Sequence, residues 1–297
     1  MSRVSTRPEF GISVIPTWTD DPGQALRLVQ LADRLGYDLV GIQDHPYQWR
    51  FFDTWTLIAW LAGQTTRIRF FPDVANLPLR PPAMLAKSAA TLDVLTGGRV
   101  ELGLGAGAFW DAVAAMGGPR RTPAEALQAT EEAIDVIRLV WTGQRGLRYD
   151  GNFYTLHGLN AGPPPAHPIG IWVGAYGPRM LELIGRKADG WVPSIRPDFP
   201  PERLATGMRA IDEAARAAGR DPRDIHRVLN VGTVIADAQT EPLTGPVPYL
   251  VERFTELALQ SIDAFILWPS HDQENQIEQF AAEVIPAVRE ALAKGSD

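Results

Sequence analysis

Asp44 and His45 stand side by side at the end of the apolar run LVGIQDHPYQW (39–49), with Trp49 four residues further on. A carboxylate beside an imidazole can hold or move a proton near neutral pH, and an indole adds a flat apolar wall. A lone histidine of this kind is more often structural. The neighbouring acid and the position at the tip of an apolar run argue for a reactive one. A second group is GLGAGAFWD, with glycine at 103, 105 and 107. Glycine there lets a ligand approach the backbone closely. It is not a dinucleotide fingerprint, because no helix starts at the last glycine and no acid follows a second strand at the right distance. A third group is Ala175-Tyr176-Gly177-Pro178-Arg179. Gly-Pro opens a helix, so free N–H groups, the positive helix end and Arg179 make a seat for an anion such as phosphate. A plain helix cap accounts for the same residues as well. Asp73, inside the apolar run IRFFPDV (68–74), is poor ladder chemistry. It reads either as an ordinary strand end or as a bulge that admits a flat ligand.

What must position these groups is a repeating pattern. Short apolar runs at 10–16, 39–45, 68–74, 100–107, 169–175, 190–195, 227–235 and 264–270 alternate with segments of helical period. The helices are expected at 21–36, 53–65, 82–96, 123–142, 178–188, 200–218, 247–260 and 275–292. Asp20-Asp21-Pro22 and Gly36 bound the first helix, and Thr122-Pro123-Ala124-Glu125 has the form of a capping box. Strands buried on both faces and alternating with helices mean a parallel sheet. Eight such units predict a closed (β/α)8 TIM barrel, with a doubly wound sheet as the rival. The stretches 108–122 and 143–168 fall outside the repeat and read as insertions, the second as a hairpin and loop. No linker divides the chain, so residues 1–297 are expected to form a single domain. In a barrel, Asp44, His45 and the glycine run all sit at the strand C-termini, where barrels keep their chemistry.

The bulk composition narrows the chemistry. The 297 residues are 45% hydrophobic and 21% charged, and the net charge of −7 argues against nucleic-acid and anionic-membrane partners. There is no cysteine, which excludes thiolate catalysis and disulfides. The start MSRVSTRPEF has no apolar signal region, so a cytoplasmic location is expected. His157, His167, His226 and His271 have no metal-ligand spacing, and no metal site is expected. The remaining features, aromatic walls, pliable backbone and one phosphate seat, describe a site for a planar, phosphate-bearing cofactor.

Three segments carry a family likeness: GYDLVGIQDH, RIRFFPDVANLPLRPPAMLAKSAATLDVLTGGRVELGLGAG and IWVGAYGPRMLELIGRKADGWVP. They resemble the bacterial luciferase-like family of flavin- and deazaflavin-dependent oxidoreductases, and the likeness runs from FGISV to AFILWPS. The resemblance implies a barrel with insertions that holds FMN or coenzyme F420, a 5-deazaflavin, at the strand C-termini. It implies a non-prolyl cis bond at Asp73–Val74, leading into Ala75 and Asn76, as a bulge behind the ring. It implies a phosphate held at Ala175, Tyr176, Gly177 and Pro178 beside Arg179, with Gly105, Ala106 and Gly107 lining the pocket. Asp44-His45 with Trp49 is similar to the deazaflavin-dependent sugar-phosphate dehydrogenases. By that likeness Asp44 and His45 lie against the cofactor and Trp49 lines the substrate side.

The chain departs from those dehydrogenases where they carry a glutamate after the G-x-G: here that residue is Ala108, and Asp111 is the nearby acid that could substitute. The phosphate-gripping lysines are also absent, since Lys87, Lys187 and Lys294 are the only lysines. With Phe52, Phe109, Trp110 and Trp268 near the expected mouth, the substrate expected is a small apolar or flat organic molecule. Three functions follow from the resemblance. The favoured one is hydride transfer between coenzyme F420 and that substrate. The second is an FMN-dependent monooxygenase fed with reduced flavin by a reductase partner. The third is a cofactor-binding protein without turnover. A homodimer is implied as well.

Overall fold

The computed structural model describes residues 7–19, 21–195, 201–240 and 243–294, with the side chains of residues 201 and 202 left aside. The first strands are β1 (Glu9–Val14), β2 (Leu39–Ile42), β3 (Arg69–Pro72), β4 (Ala75–Asn76) and β5 (Leu102–Gly105). After them come β6 (Leu147–Asp150), β7 (Thr155–Leu159), β8 (Ile171–Gly174) and β9 (Gly190–Trp191). The last are β10 (His226–Gly232), β11 (Val234–Ile235), β12 (Thr244–Gly245) and β13 (Ala264–Trp268). A parallel sheet runs β3-β2-β1-β13-β10-β9-β8-β5-β4. β3 and β4 are two halves of one strand. The Phe70–Val100 bridge ties the lower half directly to the segment entering β5, through Phe70 N–H to Arg99 O and Glu101 N–H to Phe70 O, both 2.9 Å. The sheet therefore closes on itself as an eight-stranded barrel, and the open doubly wound alternative is excluded.

Ten α-helices are described. The first five are α1 (Gln24–Leu35), α2 (Thr54–Ala62), α3 (Pro82–Thr96), α4 (Trp110–Ala115) and α5 (Pro123–Trp141). The rest are α6 (Pro178–Lys187), α7 (Pro201–Ala217), α8 (Val247–Leu259), α9 (Gln273–Gln279) and α10 (Ile285–Lys294). The capping box is present at α5, where Thr122 Oγ1 accepts from Glu125 N–H and Glu125 answers the Thr122 N–H at 2.7 Å. Asp20, expected to help cap α1, lies outside the described residues, as does residue 200 at the start of α7. Asp21 carboxylate accepts the Gly23 N–H at 3.1 Å just ahead of α1, and Gly36 ends that helix with φ 90°. The single helix expected over 275–292 is broken by a π turn at Phe280–Val284, which separates α9 from α10.

Both insertions carry structure. Residues 108–122 hold the short α4, and 143–168 contain the antiparallel β6–β7 hairpin. Inside the barrel, alternate residues of each strand point inward, and Leu39, Phe71, Trp172, Val192, Val228, Ala264 and Ile266 form an inner core. A larger apolar cluster fills the layer between strands and helices. Space near the cis bond is tight: a Cβ on Gly103 would lie 2.1 Å from Pro72 O, so only glycine fits there.

Candidate active site

Asp44 follows β2 at the C-terminal rim but does not face the mouth. Its side chain has no exposed surface, and Arg80 grips it through Nε–Oδ2 at 2.6 Å and Nη2–Oδ1 at 2.7 Å. The Asn76 N–H adds a third donor at 2.9 Å, and Arg80 also reaches Asp53, the N-cap of α2. This two-pronged charge-assisted pairing uses the carboxylate up. Asp44, expected as part of the cofactor wall, is in this structure a buried anchor that ties the β2 loop to β4.

His45 is partly buried, with Nδ1 2.8 Å from the Tyr47 hydroxyl. Burial lowers the His45 pKa, and the nearby Asp44 charge only partly offsets it, so the imidazole is neutral at pH 7. Burial, with Asp44 assisting, pushes the Tyr47 phenol up to about 12. A phenol that keeps its proton can donate to Nδ1 or accept from it, so the ring tautomer decides which atom of the pair donates. Phe109 stands edge-on to His45 at 5.8 Å and near Tyr47 at 6.0 Å. Sequence reasoning missed Tyr47. The available signal was its place two residues past His45, in a loop that Pro46 turns back on itself.

Trp49 sits farther out, 67% exposed, edge-on to Trp18 at 5.8 Å and covered by the Arg50 guanidinium at 5.0 Å. Phe109, not Trp49, is the aromatic ring against His45. Phe52, in the segment that leads from β2 into α2, lines a groove with Pro22, Thr56, Leu57 and Trp60. Asp111 opens α4 with its side chain 89% exposed and ion-paired to Arg120. Expected as the acid that could substitute for the one missing at Ala108, it points outward in this structure.

The floor of the mouth is built around the Asp73–Val74 bond, which is cis. Ala75 and Asn76 are buried and pair with Leu104 and Gly105 of β5. Val74 fills the room that glycines leave on its neighbours: a Cβ would come within 2.7 Å of its Cγ2 at Gly105 and 3.1 Å at Gly174. Gly107 has φ 107°, and a Cβ there would press on Pro78 at 2.5 Å and Trp110 at 2.7 Å; Ala106 lies partly buried between the two glycines. Three buried oxygens around this floor lack a partner among the described residues: Asn76 Oδ1, Asn230 Oδ1 and Thr233 Oγ1. Buried polar atoms are nearly always bonded, so a group of orphans at one mouth fits a polar-edged ligand. The burial of Asp73 pushes its carboxyl up to about 6, with Asn230 Nδ2 donating to Oδ1 at 3.2 Å.

On the far side, Gly177 caps α6 with extended backbone, and Pro178 begins the helix. Nothing lies within 4 Å of where a Gly177 Cβ would be, so a ligand can reach the backbone. The first-turn N–H groups of a helix have no partners within it. Arg179 is exposed and makes no hydrogen bond or ion pair among the described residues. Ala175 O takes Trp191 Nε1–H at 2.9 Å, and the Tyr176 hydroxyl takes the Ser194 N–H at 3.1 Å, which fixes the approach to the seat. A glycine-cleared floor, orphaned oxygens and an open cationic helix start together fit a flat ring carrying a phosphate.

A closed (β/α)8 barrel with a glycine-cleared floor and an open helix start at its C-terminal mouth is the class this geometry defines. The chain belongs to the luciferase-like monooxygenase family, whose model matches residues 4–244. It is 30% identical over 71% of its length to an F420-dependent glucose-6-phosphate dehydrogenase of Kineococcus radiotolerans, covering 63% of that protein. It is 32% identical over 70% of its length to an F420-dependent hydroxymycolic acid dehydrogenase of Mycobacterium tuberculosis, covering 58% of it. The chain thus spans about three fifths of both relatives. In fold it is similar to an F420-dependent secondary alcohol dehydrogenase solved with an F420-acetone adduct, with TM-score 0.84 at 20% identity over 95% of this chain and 99% of that one. Among the described residues no helix is long and apolar enough to cross a membrane.

Proposed function

We propose that this protein is an oxidoreductase that binds coenzyme F420 at the barrel mouth and passes hydride between it and a small apolar or flat organic substrate. The observation that carries the reading is a neutral, partly buried imidazole set beside a glycine-cleared floor with orphaned acceptors. The names of the two relatives support the cofactor. When bound, the deazaflavin supplies the hydride chemistry, and the protein supplies placement and electrostatics. His45, with Nδ1 held by Tyr47, offers a hydrogen-bonding nitrogen to a substrate oxygen and can exchange its proton. Gly177 and Arg179 hold the phosphate, while Gly105, Ala106, Gly107 and Val74 bed the ring.

The three lysines support an apolar substrate over a sugar phosphate. Lys87 donates to Gly162 O, Lys187 pairs with Asp135 and Glu131, and Lys294 pairs with Glu290, so none is left for a substrate phosphate. The exposed rings of Phe109 and Trp268 give the mouth an apolar rim. The exposed outer residues Trp60 on α2 and Met84 and Leu95 on α3 support a homodimer through that face.

The test is equilibrium titration with FMN and with coenzyme F420, each oxidised and reduced, followed by a screen of alcohols, enones and imines. Tight F420 binding with FMN excluded, and turnover independent of oxygen, is the expected result. Preference for reduced FMN with oxygen uptake would replace this reading with the monooxygenase and its reductase partner. Tight binding with no turnover across the panel would leave a binding protein.

A further inference from the structure

Asp73 has no role in the reading above beyond shaping the floor, yet it is an unusual group to find there. It is the inward-facing residue at the break between β3 and β4, recessed into the mouth and opposite β10. The groups around it offer no positive charge. A Cβ on Gly41 of β2 would lie 3.0 Å from Oδ2, Val74 and the glycines of β5 and β8 present hydrocarbon and backbone, and β10 presents Asn230. The nearest titratable residues past β2 are committed elsewhere: Asp44 to Arg80, and His45 to Tyr47. No charged side chain among the described residues acts on Asp73; burial and Asn230 alone determine its behaviour.

Asn230 is incomplete in a matching way. Its Nδ2 donates to Asp73 Oδ1, but its own Oδ1 is buried and unpartnered. A carboxylate has only acceptors to offer, whereas a carboxylic acid has one O–H. A neutral Asp73 can therefore bring an O–H into the space beside this carboxamide. An ionised Asp73 cannot, and it leaves an unpaired negative charge on the floor where a ring must lie.

We propose that Asp73 is the proton-holding residue of the mouth: as a neutral acid paired with Asn230 it admits a negatively charged planar ring, and binding such a ring draws a proton onto it. This rests on the reading of the mouth as a cofactor site. The proton comes from solvent and stays on the carboxyl, so no redox step is involved. Burial already holds the carboxyl at about 6 in the free protein, so an anion above it raises the proton affinity further.

The experiment measures the affinity for coenzyme F420 by fluorescence, from pH 5.5 to 8, for the wild type and for Asp73→Asn, which mimics the neutral acid. The ratio of the two dissociation constants cancels the titration of the coenzyme itself. It is expected to be near one at pH 5.5 and to rise about tenfold per pH unit above the titration of Asp73, the slope of one linked proton. Binding at pH 7.5 in weak buffer takes up one more proton in the wild type than in the variant. A ratio independent of pH overturns the proposal. Asp73→Ser, a smaller neutral replacement, gives the same flattening and covers the case in which the asparagine variant does not fold. If neither cofactor binds, the functional reading has failed. Asp73 is then judged by its carbon-13 carboxyl titration in the free protein: a midpoint well above the ordinary aspartate value of about 3.9 upholds the proton-holding role, and a midpoint near it overturns that role.

Discussion

The two ends of the barrel treat their polar groups in opposite ways. At the N-terminal end, Arg69 bridges Glu9 and Glu101, and His226 lies between Glu9 at 3.4 Å and Asp263 at 3.7 Å. His167 lies between Asp93 at 2.7 Å and Glu101 at 3.5 Å, and the same two acids also accept the N–H groups of Ala166, His167 and Gly170. Acids and bases are matched there, although His167 Nε2, Arg227 Nε and Arg289 Nε have no hydrogen-bond partner among the described residues. At the C-terminal mouth, Asp73 has no cation, three buried oxygens have no partner, and Phe109 stands two thirds exposed. Unpartnered polar atoms occur at both ends, so they do not separate the two. Charge pairing does: every acid named at the N-terminal end meets a cation or a histidine, while Asp73 at the mouth meets none.

Asp44 is the exception that sharpens the contrast, because it sits at the mouth but is bonded like a residue of the N-terminal end. Arg80→Ala should therefore give the largest effect, destabilising the fold by about 3–5 kcal/mol in denaturant unfolding, since it strands a fully buried carboxylate. A loss below about 1 kcal/mol would move Asp44 back among the binding residues. Next comes Gly177→Glu, which places a negative side chain in open space at the phosphate seat. Affinity for FMN and coenzyme F420 should drop at least about a hundredfold with the unfolding midpoint unchanged. Normal affinity would put the phosphate elsewhere. Smaller again, His45→Ala should lower turnover at least about tenfold with unchanged circular dichroism, as loss of a group that holds or moves a proton requires. Wild-type kinetics in that variant would make His45 a packing residue.

Much of this was legible in the sequence because it is written in local patterns. The eight apolar runs and their helices follow from residue periodicity, and Thr122 and Gly36 mark helix ends by chemistry that acts within a few residues. The cis bond at Asp73–Val74 came from family likeness alone; no local pattern announces it. Apart from the π turn that breaks the helix expected over 275–292, what the sequence left open is side-chain direction across the fold. Asp44 and His45 are neighbours in the chain, yet an arginine 36 residues away decides that one is an anchor. Asp111 is in the right loop, but Arg120 holds it outward. Tyr47 was passed over because a hydroxyl two residues from a histidine is unremarkable until the loop folds it back to 2.8 Å.

The sharpest test of the comparison is that both ends make stability fall as pH rises, for opposite reasons. Hydrogen bonding to Glu101, aided by the charges of Glu101 and Asp93, raises the His167 pKa. The native state then keeps that proton longer than the unfolded chain does. The stabilisation is complete below the ordinary histidine value and is lost as pH rises through the raised one. His167→Gln should cost roughly 0.5 kcal/mol at pH 5.5, where partial exposure weakens the pair, and almost nothing at pH 9. Asp73 also holds its proton longer in the native state, with a carboxyl at about 6 against an ordinary 3.8. There the rise in pH exposes a cost instead of removing a benefit. Asp73→Asn should be near neutral at pH 3 and should stabilise by up to about 3 kcal/mol at pH 7.5. Urea unfolding of both variants at three pH values separates the cases, because His167→Gln is the weaker protein in acid and Asp73→Asn the stronger one in base. If Asp73→Asn shifted stability equally at every pH, the mouth carboxyl would be paired after all, and the contrast between the two ends would fail.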